Sequence, residues 1–507
     1  MSLFRKKSLD TLLTQAADSE KGLKRTLGAT NLVALGIGAI IGAGLFVRTA
    51  AAAGGHAGSA VTLSFLIAAI GCAFAGLCYA EFASIIPIAG SAYTYAYATM
   101  GELVAWIIGW ALILEYALGA ATVSIAWSEF LNKLVGGSIP YEWSHSPFES
   151  ALDAANVMHH GIVNAPALLI LLMITMLLIK GTQESAIVNA VIVFIKVAIV
   201  LVFIAVGWSF VKSGNHTPYL IPADAAPALQ PDGTYYSYSG FFNHGWGGVL
   251  KGAAIVFFAF IGFDAVSTAA QEAKNPKKDM PMGILGSLVI CTVLYVLFSW
   301  VLTGVAPYSD FVKAGKEASV TYAIETYMHG YGWLAKSVTI AILAGFSSVI
   351  LVMLMGQSRV FYTMSSDGLL PKVFSALHPK FRTPYKSNII LFVFVGAFAG
   401  FVPGSVAGDL TSIGTLLAFV LVCLGVIILR KSDPHLVRPF KTPFVPLVPI
   451  LGIIVCLAMI ISLWGTTLLS AVIWMFIGLL VFFGYSRKHS KLVPPLSDVL
   501  PKASDFE

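Results

Sequence analysis

The chain alternates long, unbroken apolar runs with shorter polar stretches. A helical run of about 20 apolar residues crosses the roughly 30 Å hydrocarbon core of a bilayer. The pattern predicts twelve such spans, at about 31–54, 60–86, 99–130, 165–180, 185–211, 248–272, 283–305, 334–363, 388–403, 410–430, 447–465 and 467–485. The runs are continuous rather than alternating with period two, which argues against a transmembrane β-barrel. The longest polar loops, 131–164, 212–247 and 306–333, are too short to fold as separate domains. The expected fold class is therefore all-α integral membrane, with 12 transmembrane helices.

Composition excludes the soluble alternatives. Of the 507 residues, 57 % are hydrophobic and 11 % charged. Soluble domains run at about 45–50 % and about 25 %. A mean hydropathy of +0.84 fits neither a soluble enzyme, a disordered chain nor a secreted disulfide scaffold. Cys72, Cys78, Cys291, Cys423 and Cys456 all fall in apolar runs without a CxxC pair, and read as small buried hydrophobes. Arg5, Lys6 and Lys7 precede a mixed polar stretch rather than an apolar one, which does not read as a cleavable signal peptide. Leu3, Phe4, Leu9, Leu12 and Leu13 among these basic residues predict a short interfacial helix.

The net charge of +6 reports topology more than nucleic-acid binding. With the N-terminus placed inside and the loops assigned alternately, Arg48, Lys133, Lys212, Lys251, Lys313, Lys316 and Lys336 fall outside. Lys196 falls within the membrane, and all other Lys and Arg residues fall inside. This asymmetry, with an even number of spans, predicts a multi-pass protein of the plasma (inner) membrane with cytoplasmic N- and C-termini.

Two spans carry internal interruptions. The first contains Gly36-Ile-Gly-Ala-Ile-Ile-Gly-Ala-Gly44, and each glycine costs a helix up to about 1 kcal/mol relative to alanine. A dinucleotide loop is excluded by the GxGxxxG spacing and the lack of a preceding strand. Helix packing through Gly38 and Gly42 is one reading. A discontinuous helix whose unwound segment forms a site at mid-membrane is the other. The sixth span supplies a matching interruption, Phe257-Phe-Ala-Phe-Ile-Gly-Phe-Asp264, and Gly42 and Gly262 stand 220 residues apart. Breaks in spans one and six are the arrangement of two five-span repeats of inverted topology with two further spans at the end.

The chemistry of such a site is specific. A half-helix beginning near Ala43 and Gly44 offers free N–H groups and a positive dipole end to a carboxylate. Half-helices ending near Ile40 and Ile41, and at Phe258, Ala259 and Ile261, leave carbonyls for a protonated amine. Donors and acceptors at that spacing describe a zwitterionic α-amino acid. Glycine at 42 and 44 lets the ligand approach the backbone.

Gly38-Ala-Ile-Ile-Gly-Ala-Gly-Leu-Phe46, Tyr79-Ala-Glu-Phe-Ala-Ser-Ile-Ile-Pro-Ile-Ala-Gly-Ser-Ala-Tyr93, Phe258-Ala-Phe-Ile-Gly-Phe-Asp264 and Glu272-Ala-Lys-Asn-Pro276 resemble motifs of the amino acid–polyamine–organocation (APC) superfamily. Leu3-Phe-Arg-Lys-Lys7 and Arg438-Pro-Phe-Lys-Thr-Pro443 are similar to its cationic amino acid transporter branch, bacterial members. The resemblance covers nearly the whole chain. It implies a leucine-transporter-type 5+5 inverted repeat with discontinuous helices 1 and 6, plus two C-terminal helices, working by alternating access. It implies backbone recognition of the ligand at Ile40, Ile41, Gly42, Ala43 and Gly44 and at Phe258, Ala259 and Ile261. Phe258 matches an aromatic lid in the family; a plain packing aromatic is the alternative. Ile350 matches the family's side-chain specificity position, and its bulk points to small or medium neutral amino acids such as alanine.

Three ionisable residues lie near mid-span, Glu115, Lys196 and Asp264, each costing roughly 2.5–3.5 kcal/mol on insertion scales. Lys196 is too deep to snorkel comfortably and a buried lysine readily loses its proton. It reads as a protonatable switch docking against carbonyls near Gly42, which resembles proton-coupled members of the family; a static pair with Glu115 is the alternative. Asp264 reads as a proton relay or as the cap of the lower half-helix. Glu115 contacts a substrate amine or side chain, or balances Lys196. Glu81 and Glu102 read as structural or gating residues. His56, His145, His159 and His160 read as solvated, without metal-ligand spacing.

The expected function is proton-coupled symport of neutral L-amino acids, with the amino acid, the proton and the lipid bilayer as partners. No nucleic acid, cofactor or metal is expected, no enzyme motif occurs, and a small accessory membrane subunit is left open. An exchanger or a cationic amino acid permease without net proton coupling is the alternative, a non-transporting sensor or a channel the remoter one. The expected organisation is 1–28 as a cytoplasmic segment, 29–212 as the first repeat, 213–246 as an outer loop, 247–432 as the second repeat, 433–486 as helices 11 and 12, and 487–507 as a cytoplasmic tail.

Overall fold

The computed structural model describes residues 5–7, 27–86, 91–152, 157–181, 186–268, 270, 273–315, 319–381 and 383–492. The interfacial helix expected around Leu3, Phe4, Leu9, Leu12 and Leu13 lies outside the described residues except for 5–7, which carry no helix; residues 87–90 and Glu272 of the motifs, and the tail beyond 492, also lie outside them.

Apolar helices fall where the hydrophobic pattern predicts spans. They are α1 (Ala29–Ile40), α2 (Val61–Ile85), α3 (Glu102–Leu134), α4 (Ala165–Lys180), α5 (Ala186–Gly207), α6 (Gly245–Val256), α7 (Pro276–Val305), α8 (Gly332–Ser366), α9 (Tyr385–Phe401), α10 (Gly404–Ser432), α11 (Leu447–Ser462) and α12 (Thr466–His489). Counted with their continuations, eight helical runs among the described residues are long and apolar enough to cross a membrane. α1, α4, α9 and α11 are shorter apolar helices. The run leading into α2 begins at Gly44 and turns at Gly58, whose φ of +61° suits glycine.

The two described ends meet. The Arg5 guanidinium donates to the Leu492 carbonyl at 3.1 Å, so both lie on one face, here called the terminal face. α7 packs against α2 and α1, α3 against α8, α4 against α9, and α10 against α11. α12 is mostly uncovered and turns Leu469, Val472, Phe476 and Leu480 outward. Such an apolar exterior belongs in lipid; the chain is a multi-pass membrane protein.

All five cysteines are buried and unpaired. Two short hairpins depart from the all-α expectation, both in polar loops: Ser150–Leu152 with Met158–His160, and Ala228–Leu229 with Tyr235–Tyr236. In the second, Gly233 at φ +82° makes the turn and Asp232 accepts the Thr234 amide at 2.9 Å. These signals are local and carry no long periodicity.

Candidate functional site

α1 stops at Ile40, and Ile41 is extended (φ −72°, ψ 106°). The helix restarts as a π turn at Gly44–Arg48. α6 tightens into a 3₁₀ turn at Phe257–Phe260, and Ile261 is extended (φ −59°, ψ 135°). Gly262 then takes φ +113°, which a side chain rarely adopts, before helix resumes at Ala265–Thr268.

The two breaks clasp each other. A Cβ on Gly44 would overlap the backbone of Ala259, and one on Gly262 would stand 2.9 Å from the Ala39 carbonyl oxygen. Glycine is thus required at Gly44 by close approach, and at Gly262 by conformation as well. Ile40, Ile41, Gly42, Ala43, Gly44, Phe258, Ala259 and Ile261 are all buried. Irregular backbone at this depth is tolerated because protein surrounds it. Of the competing readings of the glycine run, packing accounts for Gly36, where a Cβ would meet the Ser287 hydroxyl at 2.5 Å. Gly42 and Gly44 sit in and beside the break.

Where the half-helix restarts, the Leu45 amide donates to the Gly42 carbonyl at 3.2 Å, while those of Ala43 and Gly44 follow the break directly, without a preceding regular turn to satisfy them. On the acceptor side, several carbonyls already have internal donors, that of Phe258 among them, from the Ile261 amide at 3.4 Å. Gly38 accepts from the Lys196 ammonium at 2.7 Å. Ile40 and Ala259 accept from the one hydroxyl of Tyr295, at 3.1 and 2.9 Å. The sequence pattern assigns the Ile40 and Ala259 carbonyls to a ligand amine and does not single out Tyr295. Its only signal was a lone tyrosine in an apolar span, whose buried hydroxyl requires a partner.

Lys196, Glu115 and Asp264 are all buried, but they do not form one group. Lys196 reaches α1. Asp264 turns its Oδ2 to the Tyr116 hydroxyl at 2.7 Å, while its Oδ1 has no hydrogen-bond partner. Glu115, in the π turn Leu114–Leu118 of α3, lies beside Asp264 and Thr415, yet neither of its oxygens reaches hydrogen-bond geometry. Tyr79 faces the same pair of carboxyls, with its hydroxyl unpartnered. Ile350 is buried on α8 next to Val349, whose methyl would lie 3.4 Å from a Cβ on Gly42.

Above the break, on the face away from the termini, a cavity of about 210 Å³ is floored by Ala43 and lined by Arg48, Thr122, Glu129 and Glu149 among others. Arg48 forms an ion pair with Asp409 of α10 there. His56, expected in solvent, instead shares its Nδ1 with the Phe242 carbonyl and Asn243 Oδ1 at 3.1 and 3.0 Å. His159 pairs with Glu142 at 2.9 Å.

Ion pairs and hydrogen bonds tie elements together on the terminal face. Lys7 and Tyr93 each reach an Asp367 carboxylate oxygen at 2.9 Å. Glu81, fully buried, takes two bonds from Arg430, at 3.0 and 2.7 Å, and lies 3.3 Å from Arg438.

A family model described as "Amino acid permease" matches residues 27–486. The chain belongs to the amino acid permease family of the APC superfamily. This permease is 45 % identical to the branched-chain amino acid permease BcaP of Bacillus subtilis, over 97 % of the chain and 99 % of the relative. It is 42 % identical to the methylthioribose transporter of the same organism, with the same coverage. It is 35 % identical to the vacuolar cationic amino acid transporter 4 of Arabidopsis thaliana, over 85 % of the chain and 68 % of the relative. The permease is therefore an amino acid transporter of the membrane and not an enzyme.

Proposed function

We propose that this permease is a secondary active transporter that carries neutral L-amino acids with protons by alternating access. The observation that carries the reading is the clasp of the two broken helices. It sets the amides that begin at Ala43 and Gly44 beside the carbonyl ends at Ile40, Phe258 and Ala259. A ligand with one carboxylate and one ammonium suits that cradle. Ile41, Gly42, Ala43, Gly44, Phe258 and Ile261 recognise the α-amino acid portion, and Tyr295 holds the carbonyls of Ile40 and Ala259 until an ammonium competes for them. Phe258 closes over the substrate.

Ile350 limits the side-chain pocket to apolar groups of small or medium size. The name of the Bacillus subtilis relative BcaP adds branched-chain amino acids to the alanine-sized candidates. Lys196 and Asp264 handle the proton. A protonated Lys196 ties α5 to the carbonyl end of α1, and Asp264 shares its buried setting with Glu115 and Tyr116.

The packing supports a twelve-span 5+5 inverted repeat. α2 lies on α7, α3 on α8 and α4 on α9, so three helices of the first five pack on their counterparts five places later, while α5 packs on α1, α7 and α8. The repeats then cover 29–212 and 247–432. Residues 433–486 follow as the last two helices, and the terminal face is cytoplasmic at the plasma membrane.

Uptake into proteoliposomes tests the proposal. Labelled alanine, leucine, lysine, arginine and methylthioribose are offered separately. Saturable uptake of alanine or leucine supports it; preference for arginine or for methylthioribose, which has neither carboxylate nor amine, overturns it. If neutral amino acids enter only against an internal amino acid and ignore a pH gradient, the protein is an exchanger.

A further inference from the structure

One basic patch has no part in the central cradle. The loop from α8 to α9 carries Lys380 and, at its far end, Lys386. Within it the Thr383 hydroxyl donates to the Ile179 carbonyl at 2.7 Å, which seats the loop on the last turn of α4, where Lys180 stands. Lys180, Lys380 and Lys386 are exposed, and among the described residues none of them pairs with a carboxylate. Asp367 is the only carboxylate in the sequence 367–388, and Lys7 and Tyr93 occupy it. An aromatic platform holds two of the lysines in place. The His378 ring lies 4.7 Å from that of Phe381 and 5.3 Å from that of Tyr385. Lys380 sits over Phe381 at 5.6 Å and Lys386 over Tyr385 at 5.9 Å. Such exposed contacts are weak, so both ammonium groups remain available. His378 Nδ1 accepts the amides of Lys380 and Phe381 at 3.1 and 3.2 Å, which leaves its Nε2 as a further donor.

The apolar surface continues directly from these cations. α4 and α9 pack together and expose Leu177, Ile389 and Val393 near the ends that meet here. α9 also begins here, so the positive end of its dipole adds to the lysines. Basic pockets between transmembrane helices suit the headgroups of anionic lipids. We propose that the junction of α4, α9 and the loop from α8 binds an anionic phospholipid. Its phosphate sits among Lys180, Lys380 and Lys386, and its chains lie along α4 and α9. A lipid fits better than a free phosphate because the cations border a lipid-facing surface rather than an enclosed polar pocket. The bound lipid pins the loop that leaves α8, the helix carrying Ile350, to the end of α4.

Native mass spectrometry of the purified full-length protein in detergent tests this, with phosphatidylglycerol and phosphatidylcholine of identical chains offered in equal amounts. The native protein should retain phosphatidylglycerol preferentially. Each lysine changed to glutamine should weaken that preference about fivefold, so the triple variant Lys180→Gln, Lys380→Gln and Lys386→Gln should retain both lipids alike. The double variant Lys277→Gln with Lys278→Gln, at exposed lysines of the first turn of α7, should keep the native preference. Equal retention by the native protein, a preference that survives in the triple variant, or an equal loss in the α7 variant overturns the site. Displacement of the lipid by excess inorganic phosphate overturns the lipid as its occupant.

Discussion

The ammonium of Lys196 lies 2.7 Å from the carbonyl oxygen of Gly38, joining α5 to the last turns of α1 before its break. A charged donor makes a hydrogen bond roughly twice as strong as a neutral one. Protonation of Lys196 therefore tightens the hold of α5 on the broken helix, and deprotonation loosens it. In the proposed function, this bond is what couples a proton to the conformation of the broken helix.

Gly345 makes room for this contact. A Cβ at that position would stand 2.8 Å from the Lys196 Cε, an atom near the free end of a flexible chain. Gly345→Val is expected to push the ammonium off Gly38 without unfolding the protein. The initial rate of amino acid uptake should fall about tenfold, equivalent to about 1.4 kcal/mol, while the thermal midpoint changes little.

The two glycines of the first break separate folding from recognition. At Gly44 a side chain would overlap the Ala259 backbone, whereas at Gly42 it would make an ordinary contact with Val349 at 3.4 Å. Gly44→Ala should abolish uptake and lower the thermal midpoint of the detergent-purified protein. Gly42→Ala should fold normally and raise the KM for uptake, because its methyl occupies space the ligand needs.

Tyr295 gives one hydroxyl to two buried carbonyls. Tyr295→Phe leaves both acceptors short of a donor, at an expected cost of about 1–3 kcal/mol, read as a lower thermal midpoint. Saturating substrate should recover part of that loss, because its ammonium serves the same oxygens.

Much of this was legible in the sequence. The spans, both helix breaks and the three mid-span ionisable residues follow from long-period hydrophobicity interrupted by glycine and charge, and each is a feature of one segment. The partners of those residues were not legible. Lys196 reads as docking on carbonyls near Gly42, with Glu115 as the alternative, and its hydrogen bond goes to the carbonyl of Gly38. Glu115 was weighed against Lys196 and lies beside Asp264. Tyr295 and the Arg48–Asp409 pair passed unnoticed because each depends on which helices become neighbours. No periodicity along a single strand of sequence records that.

The Glu81 carboxylate on the terminal face supports structure rather than chemistry. It is fully buried and holds Arg430 and Arg438. Removing one member of a buried pair typically costs about 3–5 kcal/mol. Glu81→Ala should lower stability by that order in a denaturant or thermal assay, and Glu81→Gln by less, since the amide oxygen still accepts from Arg430.

In the proposed function, proton movement through Lys196 drives amino acid movement through the clasped breaks. Its most direct test is accumulation of labelled alanine or leucine in proteoliposomes made acidic outside, comparing the native protein with Lys196→Ala. The native protein should concentrate the amino acid above the external level, and Lys196→Ala should exchange it across the membrane without concentrating it. Accumulation that survives in Lys196→Ala, or native uptake indifferent to the pH gradient, would contradict the account.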